Sequence, residues 1–222
     1  MVMYYDLHIH SDLSPCGDRE MTPNNILNMA KIKELDIISI TDHNTVRNYP
    51  AFKIVADRLN IKVIPGIEIT SKENVHLLAY FRCYDTAAFI GDLLYDSLPD
   101  IPNNPRIFGE QNLYDSSDEI IGSMKKLLIN ATTFTIQEII NMVESKNGIV
   151  VPAHVEKKAD GILGVLGFIP KEYQFKFVEV YHDEYESPLI QGYKKLHNSD
   201  AHRLVDIREK TKYNQLHEML FD

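Results

Sequence analysis

A chain of 222 residues with 44% apolar and 25% charged positions fits one large globular domain. Its 23 Lys and Arg against 32 Asp and Glu leave a net charge of −9, which argues against non-specific binding of long nucleic acid. The two cysteines cannot build a disulfide framework, no apolar run approaches the ~20 residues of a membrane span, and the N-terminus turns polar too soon for a secretory signal, so a cytoplasmic protein with no membrane partner is expected.

The N-terminus reads as a strand from Val2 to His10, with Tyr5, Leu7 and Ile9 on one face and Tyr4, Asp6, His8 and His10 on the other. Thr22-Pro23 is a helix start, and the helix runs on through Ile26, Leu27, Met29, Ala30 and Leu35. A buried strand from Asp36 ends at Thr41-Asp-His-Asn44, and a helix over Tyr49–Leu59 and a strand over Lys62–Thr70 follow. Strands alternating with helices of this length indicate βα units and a mainly parallel sheet. Only Ser71–Asn74 separate that strand from the next, Val75–Phe81. A parallel crossover needs about a dozen residues, so these two strands are expected to be antiparallel or collinear, distorting any barrel.

Residues 82–134 are the least regular and are expected to form an insertion or lid, with helical stretches near Ala87–Leu94 and Asp118–Leu128. Thr135 with Glu138 three residues on forms a capping box that opens a helix stopping near Gly148. Strands follow over Gly148–His154, Lys176–Tyr181 and Lys195–Asn198.

Ligand-type residues recur where apolar strands end. His8 and His10 share one strand face, and Asp200 with His202 repeats that spacing. His43 follows the run Ile37–Thr41, and His154 follows Ile149-Val-Val-Pro-Ala. Glu68 sits inside the apolar strand Ile64–Ile69, where a lone carboxylate is costly unless paired or coordinated, and the short turn brings His76 near it. In α/β barrels the strand ends form the catalytic rim. Imidazole and carboxylate ligands suit Zn²⁺, Mn²⁺ or Fe²⁺ better than Mg²⁺ or Ca²⁺. Asp6 and Asp42, next to these histidines, are candidates to orient them.

The motifs Asp6-Leu-His-Ile-His-Ser11, Thr41-Asp-His-Asn44, Gly66-Ile-Glu-Ile69, His76-Leu-Leu-Ala-Tyr80, Pro152-Ala-His154 and Asn198-Ser-Asp-Ala-His202 occur in an order that resembles the polymerase and histidinol phosphatase (PHP) family of metal-dependent phosphoesterases. The resemblance implies a distorted (β/α)7 barrel, one PHP domain over residues 1–222, with two or three divalent metal ions at the C-terminal ends of the strands. His8, His10, Glu68 and Asp200 match the ligands of one ion, and His43, His202 and an aspartate those of a second. Glu68, His76 and His154 match a third, with Glu68 bridging. The aspartate is expected to be Asp18, with Asp12 as the alternative; Cys16 is read as a bystander thiol. Where the family often carries an arginine after its Ala-His segment, this chain has Glu156-Lys157-Lys158, which makes Lys157 the candidate phosphate contact. His182, His197 and His217 are outside the motifs and receive no role.

The expected activity is hydrolysis of a small phosphoester or nucleotide by a hydroxide that clustered cations generate from water, with Glu68, Asp200 and His202 as catalytic residues. Two other readings are an amidohydrolase-like metal hydrolase, in which a lysine carbamate is expected where Glu68 stands, and a non-catalytic metal-binding accessory domain. The expected partner is a small phosphorylated substrate or short oligonucleotide, with duplex DNA excluded on charge.

Overall fold

A computed structural model describes residues 2–216 and 221. In chain order the elements are β1 (Met3–Ile9), α1 (Pro23–Ile32), β2 (Ile37–Ile40), α2 (Tyr49–Leu59), β3 (Lys62–Thr70), β4 (His76–Tyr80), α3 (Tyr84–Ser97), α4 (Pro105–Phe108), β5 (Asn112–Tyr114), β6 (Ile120–Ser123), α5 (Ile136–Glu144), β7 (Ile149–Pro152), α6 (Ile162–Leu166), β8 (Phe177–Val180), β9 (Lys194–His197) and β10 (Gln215–Leu216). Among the described residues no helix is long and apolar enough to cross a membrane.

The result is an α/β fold around a curled sheet of order β10-β1-β2-β3-β4-β7. The β1-β2-β3 ladder is parallel, as the intervening helices require. β4 runs antiparallel to β3 with Glu68 opposite Leu78 and Thr70 opposite His76, which bears out the expectation from the four-residue turn. β8 and β9 form a separate parallel pair. Val155 N–H donates to the Glu179 carbonyl at 3.0 Å, and His10 N–H to the Ala201 carbonyl at 2.9 Å, so backbone bonds connect the segments of this pair to those that follow β7 and β1.

Curling shows in the packing. Tyr5, Leu7, Ile37, Ile64, Leu78, Tyr80, Val151, Ala153 and Leu196 meet in one inner cluster drawn from six strands. The opposite strand faces, among them Ile38, Ile67, Leu77, Val150 and Val178, pack with α1, α2, α3 and α5 in a larger outer core. The expected alternation along β1 is broken: Leu7 points inward, but Ile9 joins the outer core. The pairing with β2 shifts register between Asp6 and Ile9. One extra residue reverses which side chains face inward, and this turns His8 and His10 to the inside beyond Leu7.

The helix expected near Asp118–Leu128 is instead the second strand of a hairpin, β5 against β6. Asp115 accepts the N–H groups of Ser117 (2.7 Å) and Glu119 (3.0 Å), and Asp118 adopts φ of 63°, which is turn chemistry that ends any helix there. Asp118 then accepts from the Thr22 hydroxyl and the Asn24 N–H at the start of α1.

The capping box at α5 forms as expected: the Thr135 hydroxyl accepts from Glu138 N–H, and the Glu138 carboxylate accepts from Thr135 N–H at 2.8 Å. Replacing Thr135 with Ala is expected to cost about 1 kcal/mol of stability, read as a lower midpoint in urea unfolding with unchanged slope.

Candidate metal centre

Glu68 is 1% exposed, on the inward face of β3 at the sheet's rim. Its two carboxylate oxygens lie within reach of five imidazoles: His76 at 2.9 Å, His154 at 3.1 Å, His10 and His43 at 3.2 Å, and His8 at 3.4 Å. β4 delivers His76 because its antiparallel course starts at the rim where β3 ends. His43 comes from the loop after β2, which pairs with β3 through a bridge to Glu68. Burial alone would raise the Glu68 carboxyl, but His76, His8 and His43 hold it well below the usual carboxylate range.

Ligand atoms converge in four overlapping groups, each within 4.8 Å: His8, His10, Glu68 and Asp200; His43, Glu68 and His76; His76, His154 and Asp160; and His10, Cys16, His43 and His202. The structure thus brings together eight of the nine residues singled out as ligands. Asp18 is in none of the groups; its residue is exposed and its carboxylate accepts from Glu20 N–H at 3.2 Å. The tight turn Ser14–Gly17 places Cys16, two residues earlier, among the histidines instead. Asp12 is also turned away, accepting from Tyr114 OH at 2.5 Å and Asn112 Nδ2 at 2.8 Å. Lys157 reaches Asp200 with its ammonium, which lies 4.8 Å from the centre of the Tyr181 ring. His182 is exposed beside Glu156, and His197 pairs with Asp183 away from the cluster; His217 is outside the described residues.

Several imidazoles are oriented by their outer nitrogen. His8 Nδ1 donates to the buried carboxylate of Glu179, 3.0 Å from both oxygens. His202 Nδ1 donates to the Asp200 carbonyl at 2.8 Å. Ser14 Oγ donates to Asp42, so it accepts from His10 Nδ1 at 2.9 Å. In each case Nδ1 carries a proton to its outer partner, which turns Nε2 toward the cluster. Asp42 therefore acts through Ser14. Asp6 touches no imidazole; it accepts from Ser199 and from Arg208 N–H, fixing the loop that carries Asp200.

Glu179 and Asp160 escaped the sequence reading. Glu179 carried the same signal as Glu68, a lone carboxylate inside an apolar strand, Phe177–Val180. It also accepts from Asn198 Nδ2 and His154 N–H, both at 2.7 Å. Asp160 is on an irregular loop with no such signal.

The donor set fits divalent cations. Nδ1 of His43, His76 and His154 is buried without a hydrogen-bond partner, although the first two lie 3.2 and 2.9 Å from Glu68. Nitrogens that face a carboxylate off the hydrogen-bond direction are placed to share a third charge with it. Burial opposes a proton on His10, yet its bonds to Asp200 and Glu68 push it up to about 9. Burial and the neighbouring His10 bring His202 down to about 4, and burial takes His43 well below its ordinary value.

The chain matches the PHP domain over residues 6–216 and belongs to that family. Curated relatives align over shorter stretches: 37% identity over 79 residues with an uncharacterized protein of Methanocaldococcus jannaschii, covering 32% of this chain and 46% of that one. A 5'-3' exoribonuclease of Haemophilus influenzae is 30% identical over 71 residues (32% and 25%), and a phosphoribosyl 1,2-cyclic phosphate 1,2-diphosphodiesterase of Eggerthella lenta is 30% identical over 81 (34% and 30%). The matched stretches thus span less than half of each relative. Among solved structures, endonuclease Q in complex with a 27-mer duplex substrate superposes with a TM-score of 0.67 at 18% identity, over 92% of this chain and 50% of that one. An amidohydrolase of Chromobacterium violaceum gives 0.61 at 14% identity, over 98% and 93%.

The exclusion of duplex DNA does not stand, because endonuclease Q, which shares this fold over half of its own length, acts on a duplex with an abasic lesion at its active site. Net charge was the wrong guide: bound cations and nearby lysines set the field at a site, whatever the chain total.

Glu179→Gln keeps the shape but removes the charge behind His8, and is expected to weaken metal binding roughly 10–100-fold. Equilibrium dialysis against Zn²⁺ checks this, with His182→Ala expected to match the parent.

Proposed function

We propose that this protein is a metal-dependent phosphoesterase that hydrolyses a small phosphoester or nucleotide, built on a distorted (β/α)7 barrel. The observation that carries the reading is the buried Glu68 carboxylate met by five imidazoles. His8, His10, Glu68 and Asp200 would hold one cation and Glu68, His76 and His154 another, while His43 and His202 would serve a third. Bound divalent cations would supply positive charge against phosphoryl oxygens and lower the pKa of water at the site.

The chain's own residues provide the rest. His8, His10 and His154 are buried, so the inner side of the cluster is closed to water. Lys157 and His202 have side chains 32% and 31% exposed, which makes their side the route for substrate. Lys157 would hold a phosphoryl oxygen as a point charge, without the fork of an arginine. Asp200 fixes both: its carboxylate pairs with Lys157, and its carbonyl orients His202. Two relatives of named activity, an exoribonuclease and a cyclic phosphate diesterase, both act on phosphate esters. An amidohydrolase reading expects a lysine carbamate between the histidines; here Glu68 takes that place, and Lys157 pairs with Asp200 instead.

Assays with Mn²⁺ or Zn²⁺ against small phosphomonoesters, cyclic and linear phosphodiesters, and single- and double-stranded oligonucleotides test the proposal. Metal-dependent cleavage is expected from the parent and from His182→Ala, with most turnover lost in Glu68→Gln. Lys157→Ala is expected to lower kcat/KM about 10–100-fold, the value of one charge-assisted hydrogen bond. No cleavage anywhere in the panel, or equal rates for the parent and Glu68→Gln, would overturn it.

A further inference from the structure

Cys16 lies within the tight turn Ser14–Gly17 that follows β1, and five hydrogen bonds and two close glycine contacts fix that turn. Ser14 N–H donates to the Ser11 carbonyl at 3.0 Å and Gly17 N–H to the Ser14 carbonyl at 2.8 Å. Gly17 is obligatory there, since a Cβ would come within 2.4 Å of the Ser11 carbonyl oxygen. The Ser11 and Ser14 hydroxyls both donate to the buried Asp42 carboxylate, at 2.7 and 2.8 Å. Asp18 N–H donates to the His202 carbonyl at 2.9 Å, tying the turn to the loop that carries His202. From the other side Gly109 closes on Pro15, where a Cβ would stand 2.1 Å from the Pro15 oxygen. A thiol on so constrained a backbone is positioned rather than incidental.

Its neighbours are ligands in waiting. The Cys16 sulfur shares a sphere of 4.8 Å with nitrogens of His10, His43 and His202. His10 Nε2 already faces Glu68 and Asp200, both at 3.2 Å. His43 is 5% exposed, and its Nδ1 has no hydrogen-bond partner. His202 has Nδ1 engaged by a carbonyl, which leaves Nε2 available. Neither cysteine is in a disulfide, and Cys83, engaged by Thr86 Oγ1 at 3.2 Å, belongs to none of the four ligand groups.

Resting on the metal-centre reading above, we infer that Cys16 is a thiolate ligand which, with His43 and His202, holds one cation of the cluster. Binding transfers the thiol proton to solvent and forms a sulfur–metal bond. A soft sulfur in place of a carboxylate biases this position toward Zn²⁺ or Fe²⁺ and away from Mg²⁺.

The test is titration of metal-free protein with Co²⁺, whose bond to thiolate produces a charge-transfer band in the near ultraviolet. The band is expected in the parent and in Cys83→Ser, and is expected to vanish in Cys16→Ser. In the parent, metal is expected to slow alkylation of Cys16 by iodoacetamide about tenfold or more while leaving Cys83 unchanged, since a bound thiolate is a poor nucleophile. This second readout needs no variant to fold. Stoichiometric Co²⁺ without the band, a band that survives Cys16→Ser, or alkylation of Cys16 indifferent to metal overturns this inference and leaves the phosphoesterase reading intact. Failure to bind Co²⁺ at all overturns both.

Discussion

A carboxylate buried among five imidazoles is the constraint around which this molecule is arranged. An ionised Glu68, 1% exposed, is tolerable only where compensating charge is held close, and the ends of β1, β2, β4 and β7 supply the five imidazoles that do so. The antiparallel β4 starts where β3 ends and so supplies His76. The register shift in β1 brings His8 and His10 inward. Gly66, two residues before Glu68, lets β3 lie against β2, since a Cβ there would come within 2.2 Å of Ser39 Oγ.

Around this centre the protein places a further ring of carboxylates. Glu179 stands behind His8, Asp42 behind His10 by way of Ser14, and Asp6 beneath the loop of Asp200. Burial raises the Asp6 and Asp42 carboxyls; bonds from Ser199 and Arg208 to the first, and the charge of His10 with bonds from Ser11 and Ser14 to the second, work against that rise. Each outer carboxylate orients an imidazole of the cluster or fixes a loop that carries one of its residues, which keeps the inner ligand atoms aimed at one small volume. The hairpin of β5 and β6 supports the loop that follows β1 from outside, through Asn112 and Tyr114 on Asp12.

Much of this could be read from residue order because it depends on local rules. Thr22-Pro23 and Thr135–Glu138 start their helices as capping chemistry requires, and the four-residue link after Thr70 forces β4 to reverse. Glu68 could be found because a carboxylate in an apolar strand demands a partner. Glu179 obeys the same rule and could have been found in the same way. The failures lie where tertiary contacts decide. The shift in β1 depends on its pairing with β2, so alternation alone misplaces Ile9. The hairpin at 112–123 depends on Asp115 and Asp118 binding backbone that no helical period reveals. Asp18 and Cys16 differ by two residues in sequence, and only the fold of the Ser14–Gly17 turn shows that the thiol, not the carboxylate, faces the histidines.

Elemental analysis of protein reconstituted with Mn²⁺ or Zn²⁺ and freed of excess metal bears most directly on whether Glu68 bridges a metal cluster. The parent is expected to retain two or three ions per chain, and Glu68→Gln, with the bridging charge removed, to lose more than one of them while remaining folded. A parent without stoichiometric metal, or a Glu68→Gln chain that holds as many ions as the parent, would contradict the assignment of Glu68 as the bridge.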